Sequence, residues 1–234
     1  MLPSASDFAA AIGKLGISNA DTVVVYDTKE LGIFSAPRVA WMFKVFGHRK
    51  VHVLNNFRLW VKQDLPTESG EPGPVDAVEY AVPHMDKPHE VVDFETMKSL
   101  VQGDETTRAK FPKVSILDAR PKGRWEGSAP EPRPGLPSGH MSGSKSIAFS
   151  DVLDPETKAF LPASQLKELF KAKGVDMDSP VISSCGTGVT AVVLDTALVE
   201  AAIPQSTKRY IYDGSWTEWA MRVKEGEGLI QKSG

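Results

Sequence analysis

The chain has one cysteine, and the residues around it are arranged for reactivity. Cys185 stands in the segment Ser183-Ser184-Cys185-Gly186-Thr187-Gly188-Val189-Thr190-Ala191. A short apolar run precedes it and an apolar helical pattern follows. A strand therefore delivers the thiol to a tight loop that runs straight into a helix. Gly186 and Gly188 permit backbone conformations that other residues resist. Successive N–H groups of such a loop can point at one centre, forming an anion-binding nest at a helix N-terminus. That setting favours the nucleophilic thiolate without any cationic side chain in the loop. A lone cysteine is ordinarily a small, inert core residue; the order strand, cysteine, glycine loop, helix points to chemistry instead.

Two other chemistries that use a strand–loop–helix fail on the letters. A phosphatase of the Cys-x5-Arg type needs an arginine six places after its cysteine to hold phosphate bidentately, and that position is Ala191. A nucleotide-binding P-loop ends in Gly-Lys-Ser/Thr, whereas Gly188 is followed by Val189. One cysteine and the scattered histidines 48, 52, 84, 89 and 140 give no metal-ligand spacing. No metal and no cofactor is expected.

The elements that position this loop occur twice. Pro3 to Val25 and Pro162 to Ser183 both pass from a Pro/Ser start, through an amphipathic helix pattern, to Gly and an apolar run. Helical spacing is carried by Phe8, Ile12 and Leu15 in the first half, and by Leu166, Leu169 and Phe170 in the second. The runs Val23-Val24-Val25-Tyr26 and Val181-Ile182-Ser183 are β-branched and read as buried strands. Asp27 then stands where Cys185 stands. Helix-like segments follow (Ala36 to Phe46, Val189 to Ala201), then strands (Val51 to Leu54, Arg209 to Tyr212). Each half closes on a turn and an aromatic segment, Asn55 to Trp60 and Asp213 to Trp219.

Alternating strands and helices predict an α/β fold with a largely parallel sheet flanked by helices. Prolines at 66, 72, 74, 83 and 88 mark an extended linker between the halves. The boundaries expected are residues 1–64 for a first, incomplete α/β domain, 65–90 for the linker and 91–234 for a second domain. The second half has a long lead-in, with a helix-like stretch from Phe94 to Val101 and a strand from Val114 to Asp118. The first has none, so its opening strand and loop are expected to be missing.

CGTGVTA, followed by YDGSWTEW, resembles the active domain of the 3-mercaptopyruvate/thiosulfate sulfurtransferases, which carry tandem rhodanese domains. So do Asp118-Ala119-Arg120, Gly123-Arg124-Trp125-Glu126-Gly127, Glu131-Pro132-Arg133-Pro134-Gly135 and Ser138-Gly139-His140. SAPRVAWMFKVFGHRKVHVLNNFRLW resembles the family's inactive domain. The resemblance covers nearly the whole chain. The turn Met141-Ser142-Gly143-Ser144 departs from the family's common Ile-Pro-Gly-Ala.

The resemblance implies a sulfurtransferase in which Cys185 takes a sulfur atom from a donor and holds it as a persulfide for a second nucleophile. It implies that the backbone amides of Gly186, Thr187, Gly188, Val189 and Thr190 stabilise the thiolate and persulfide. Thr187 fills the place of a small hydroxyl residue that hydrogen-bonds the donor carbonyl or relays a proton. Arg124 and Arg133 match the arginines that hold the donor's carboxylate, a task suited to the planar guanidinium fork. Arg120 and His140 read as structural, Asp213 as a brace of the loop, and Trp216 as either a brace or a purely packing residue. Neutral Gly186 and Thr187 stand where the thiosulfate branch carries cations, so 3-mercaptopyruvate is the expected donor and thiosulfate the lesser one. A thiol, cyanide or a protein such as thioredoxin is the implied acceptor. An Asp and a His that the family draws from the opening of its first domain have no counterpart here. The alternative is a catalytically impaired, truncated rhodanese-fold protein that binds or relays sulfur.

The bulk composition agrees with an ordinary globular protein, with 41% hydrophobic and 24% charged residues in 234. Lys and Arg total 27 against 30 Asp and Glu, a net charge of −3, so no nucleic-acid partner is expected. No apolar run reaches membrane-spanning length. A lone cysteine forms no intrachain disulfide, and the N-terminus has neither a basic start nor an apolar signal core, which fits a reducing cytoplasmic or mitochondrial setting.

Overall fold

Ser4 opens the first helix by accepting the Asp7 N–H on its hydroxyl at 3.1 Å. The helix, α1 (Ala5–Lys14), then buries Phe8 and Ile12 on one face. The coordinates are a computed structural model describing residues 1–82, 91–203, 208–224 and 226–233. β1 (Val23–Val25), α2 (Ala36–Val45) and β2 (Val51–Val53) follow, the strands pairing in parallel with Val24 opposite His52. Helix α3 (Phe57–Lys62) starts where the Asn56 side chain accepts the Leu59 N–H at 3.1 Å. Among the described residues β1 has no second strand partner, and Val24 and Tyr26 are each 55% exposed.

Of the expected linker, residues 65–82 hold neither helix nor strand and are mostly exposed. They are nonetheless anchored. Tyr80 is buried against Phe8, is hydrogen-bonded to His48 Nδ1 at 3.0 Å, and the Val78 N–H reaches the Gly13 carbonyl. Pro83 and Pro88, also assigned to the linker, lie outside the described residues.

The second half begins with β3 (Val91–Val92), α4 (Phe94–Gln102), α5 (Glu105–Lys110), β4 (Ser115–Asp118) and α6 (Lys122–Glu126). It continues through β5 (His140–Met141), β6 (Lys145–Ser146), a 3-10 turn (Phe149–Val152) and α7 (Ala163–Ala172). β7 (Val181–Ser184), α8 (Ala191–Glu200), β8 (Arg209–Tyr212), α9 (Ser215–Arg222) and β9 (Ile230–Gln231) complete it. The main sheet runs β3-β8-β7-β4-β6, parallel throughout. Helices cover both faces, which is why β4 and β7 are buried along their whole length. β5 and β9 form a separate antiparallel clasp.

Side chains alternate across β7 with the strand's period of two. Val181 enters a core with Leu166 and Phe170 of α7 and Val193 and Leu194 of α8. Ile182 enters the opposite core with Met97 of α4 and Trp216 and Trp219 of α9. The first core also contains Ile33, Trp41 and Val45, so α2 and α8 are packed into one apolar body. Among the described residues no helix is long and apolar enough to cross a membrane.

Candidate active site

The central strand β7 ends at Ser184 and hands Cys185 to a loop that closes only at Ala191, where α8 begins. The sequence pattern places the helix start two residues earlier. Residues 186–190 are instead spent bending back toward the sulfur. The Gly188 N–H donates to Cys185 Sγ at 3.1 Å, and Gly188 holds φ at 79°, a left-handed value that glycine adopts without strain. The thiol is 2% exposed. Among the described residues, the N–H groups of Gly186, Thr187, Val189 and Thr190 have no protein acceptor. The loop therefore presents unpaired backbone donors around a buried sulfur.

The start of α9 clamps this loop from one side. The Trp216 N–H donates to the Cys185 carbonyl at 2.9 Å, and the Thr217 N–H and hydroxyl both donate to the Gly186 carbonyl. The Cys185 N–H donates to Ser215 Oγ at 3.1 Å, and that hydroxyl donates to the Tyr212 carbonyl at 2.9 Å. Ser215 does this from a positive φ of 52°, unusual for a residue with a side chain. From the other side, Arg38 of α2 donates to the Gly188 carbonyl at 3.2 Å and pairs with Asp213 at 2.6 Å while lying over Trp41. Burial pushes the Asp213 carboxyl up, but the Arg38 charge beside it prevails and holds it below the ordinary carboxylate range.

Asp27 shows what the same geometry does without a thiol. It sits at the end of β1, as Cys185 sits at the end of β7, and its carboxylate accepts the N–H groups of Phe34, Ser35 and Ala36 at the start of α2. Burial raises its pKa, but hydrogen bonds from the Ser35 hydroxyl and these amides lower it further, and the net shift is downward. In the first half a fixed carboxylate fills the anion nest; in the second the nest surrounds the sulfur.

Cys185 opens onto a cavity of roughly 330 Å³. Gly186, Thr187, Val189, Thr190, Arg124 and Arg133 line it with the cysteine, so the expected site residues converge although more than fifty positions separate Arg133 from Cys185. Gly188 stands behind the lining with its N–H on the sulfur. Arg124 is on α6; its Nε and Nη2 donate to the two oxygens of Glu131 at 3.0 and 2.5 Å. Arg133 is exposed at the mouth. Arg120, at 1% exposure, is held by Asp118, Glu131 and the Gly139 carbonyl and lies 4.1 Å over the Trp216 ring. His140 stacks on Trp125 at 3.8 Å, away from the cavity lining.

Several residues of the site are not marked in the sequence. Glu131 falls inside the quoted EPRPG motif but gives no sign that it bridges two arginines. Arg38 betrays itself only as a buried charge near the start of a largely apolar helix. Phe34 and Phe149, packed edge to face at 5.5 Å, line the cavity from opposite halves of the chain, and no local pattern brings them together.

The comparisons with known proteins agree with this geometry. The model of the rhodanese-like domain matches residues 98–222. The 3-mercaptopyruvate sulfurtransferase of Mus musculus is 39% identical over 243 residues, covering 99% of this chain and 75% of its own length. The thiosulfate sulfurtransferase TUM1 of Saccharomyces cerevisiae is 38% identical, covering 95% of this chain and 73% of its own. The crystal structure of the Tum1 protein from Saccharomyces cerevisiae superposes with a TM-score of 0.87 at 37% identity, covering 100% of this chain and 76% of that one. The chain spans about three quarters of the length of these relatives. A fold, a cysteine loop and a run of similarity that all point the same way establish that this chain belongs to the rhodanese family, and that it is a sulfurtransferase.

Proposed function

We propose that Cys185 is the sulfur carrier and that 3-mercaptopyruvate is its preferred donor. The observation that carries this reading is the Gly188 N–H on Cys185 Sγ at the floor of a cavity walled by Arg124 and Arg133. The loop amides hold the thiolate, and later the persulfide, as the anion the nest was built for. The donor carboxylate is drawn to Arg133 and the outer face of Arg124. Thr187 lines the same cavity and is within the lining to hydrogen-bond the donor's keto oxygen.

In the first half-reaction the Cys185 thiolate attacks the donor's sulfur. A new S–S bond forms and the donor's C–S bond breaks. Its electron pair passes into the enolate of pyruvate, which takes the proton released by the donor thiol, giving pyruvate and the Cys185 persulfide anion. In the second, an acceptor thiolate attacks the outer sulfur and the Cys185 thiolate leaves. Two such steps through a covalent intermediate give ping-pong kinetics. With thiosulfate the leaving group is sulfite. Neutral Gly186 and Thr187 in the loop favour the singly charged donor. The domain assignment we adopt is an inactive rhodanese-like segment at 1–64 and an active domain at 91–234, with a small thiol or a thioredoxin-like protein as acceptor. A lone, uncrosslinked thiol suits a reducing cytoplasmic or mitochondrial compartment.

The test is intact mass after incubation with each donor, beside a Cys185→Ser control. Gain of one sulfur by wild type alone, faster with 3-mercaptopyruvate, is expected. A folded wild-type sample that gains no sulfur from either donor refutes the reading and leaves a binding role for the fold.

A further inference from the structure

Glu131 stands out among the residues around the cavity. It belongs to an irregular loop, yet its side chain is 3% exposed. One oxygen accepts Arg120 Nη1 at 2.8 Å and Arg124 Nε at 3.0 Å; the other accepts Arg124 Nη2 at 2.5 Å. The Nε edge of Arg124 is thereby consumed. Its guanidinium is also fixed in place over the sulfur loop, with Nη2 3.1 Å from where a Cβ on Gly186 would lie. Arg120 is already matched by Asp118 through two parallel hydrogen bonds and has no exposure.

The charges follow. Three guanidiniums, of Arg120, Arg124 and Arg133, face or back the cavity, and the carboxylates of Asp118 and Glu131 oppose them. One net positive charge is left, and it corresponds to Arg133 at the mouth. Interactions inside such a partly dry cavity fall off far less than in water, so the charge of the donor matters.

We propose that Glu131 is a positioning residue that sets donor choice: it neutralises Arg124 and holds its fork, so that the cavity offers one net cation and favours a singly charged thiol-bearing keto acid over dianionic thiosulfate. This deepens the reading above and rests on Cys185 as sulfur carrier. Without Glu131, Arg124 contributes a full charge, and the second charge of thiosulfate gains from it what the keto acid cannot.

The experiment measures kcat/KM for persulfide formation with each donor at low donor concentration. Wild type, Glu131→Gln, Glu131→Asp, Arg124→Gln and the Arg124→Gln/Glu131→Gln pair are compared. Glu131→Gln is expected to raise the thiosulfate-to-mercaptopyruvate ratio by about tenfold at low salt, and by less as salt screens the added charge. Glu131→Asp, which keeps the charge, stays near the wild-type ratio. Arg124→Gln shifts the ratio about tenfold the other way, because Glu131 then stands uncompensated. The pair restores the wild-type ratio while turnover stays low, and Arg124→Gln carries the test if Glu131→Gln alone does not fold. A structural role slows both donors equally; a ratio unmoved in Arg124→Gln, or a pair whose ratio departs from wild type as far as either single variant, overturns the proposal. Sulfur uptake by wild type with unmoved ratios removes this inference alone, whereas no uptake removes the reading beneath it.

Discussion

Gly188→Ala is the perturbation that most directly tests whether the loop's backbone, and not a side chain, equips the sulfur. At φ 79° an alanine costs about 1–2 kcal/mol of backbone strain. The added Cβ also lies 2.8 Å from the Asp213 carbonyl oxygen, which is backbone and cannot rotate away, and 3.1 Å from Arg38 Nη1. Relieving such a contact costs about 1–3 kcal/mol more. The summed loss of roughly 2–5 kcal/mol leaves a domain of ordinary stability folded at room temperature. The relief moves the Gly188 N–H off Cys185 Sγ. A hydrogen bond to a charged group contributes about 1.5–3 kcal/mol, so persulfide formation should slow by about tenfold to a hundredfold. Gly186→Ala is the control. Its φ is not positive, and its Cβ meets only the Arg124 guanidinium at 3.1 Å, which need give by only a few tenths of an ångström, so its stability should fall by less than about 1 kcal/mol. Quenched-flow mass spectrometry gives the rate and urea titration the stability. A Gly188→Ala protein that forms persulfide within twofold of the wild-type rate refutes the backbone-nest account.

Two further outcomes follow from the charged groups behind the site. Arg38→Met takes the guanidinium from the buried Asp213 carboxylate, whose second oxygen keeps the Leu2 N–H at 2.6 Å and the Met1 ammonium at 2.9 Å; a loss of about 1.5–3 kcal/mol in urea titration is expected, partly recovered in Arg38→Met/Asp213→Asn. Asp27→Asn should cost about 1.5–3 kcal/mol at neutral pH, the value of hydrogen bonds to a charged group. The folded pKa of Asp27 is lowered, so its contribution is complete above the ordinary value of about 4 and fades as pH falls through the folded one. Urea midpoints of wild type and Asp27→Asn should therefore converge below about pH 4; a gap that widens there contradicts the sign.

The sulfur loop was legible because its causes are local. An apolar run makes β7, Gly186 and Gly188 make the turn, and the next apolar stretch makes α8. The repeat was legible for the same reason, since Asp27 and Cys185 each end a β-branched strand. The convergence of Arg124, Arg133 and Cys185 in one cavity rested on motifs rather than on spacing, because it is the sheet order that brings α6 to β7. Short elements such as β5, β6, β9, α5 and α6 carry too few residues for a period to appear. The roles of Glu131, Arg38 and Ser215 are set by what approaches them in space: a second arginine, a distant carbonyl, a neighbouring amide. Nothing adjacent in sequence announces those encounters. The packing of α2 into the core of the second half is equally invisible, since an apolar stripe does not name its partner.

The β5–β9 clasp ties the helix of Arg124 to residues far along the chain. Gln231 pairs with His140, the Ser233 N–H reaches the Glu126 carbonyl, and the Gly139 N–H reaches that of Arg124. The helix bearing Arg124 is thus locked by residues made about a hundred positions later. At roughly 5–20 residues per second, the ribosome leaves an interval of several seconds to about twenty between them. Cys185 is made within that interval, before the α9 that clamps its loop and before the β9 that secures the helix of Arg124. The order of synthesis thus runs opposite to the order of support: the thiol is made before the strand that secures the helix of Arg124.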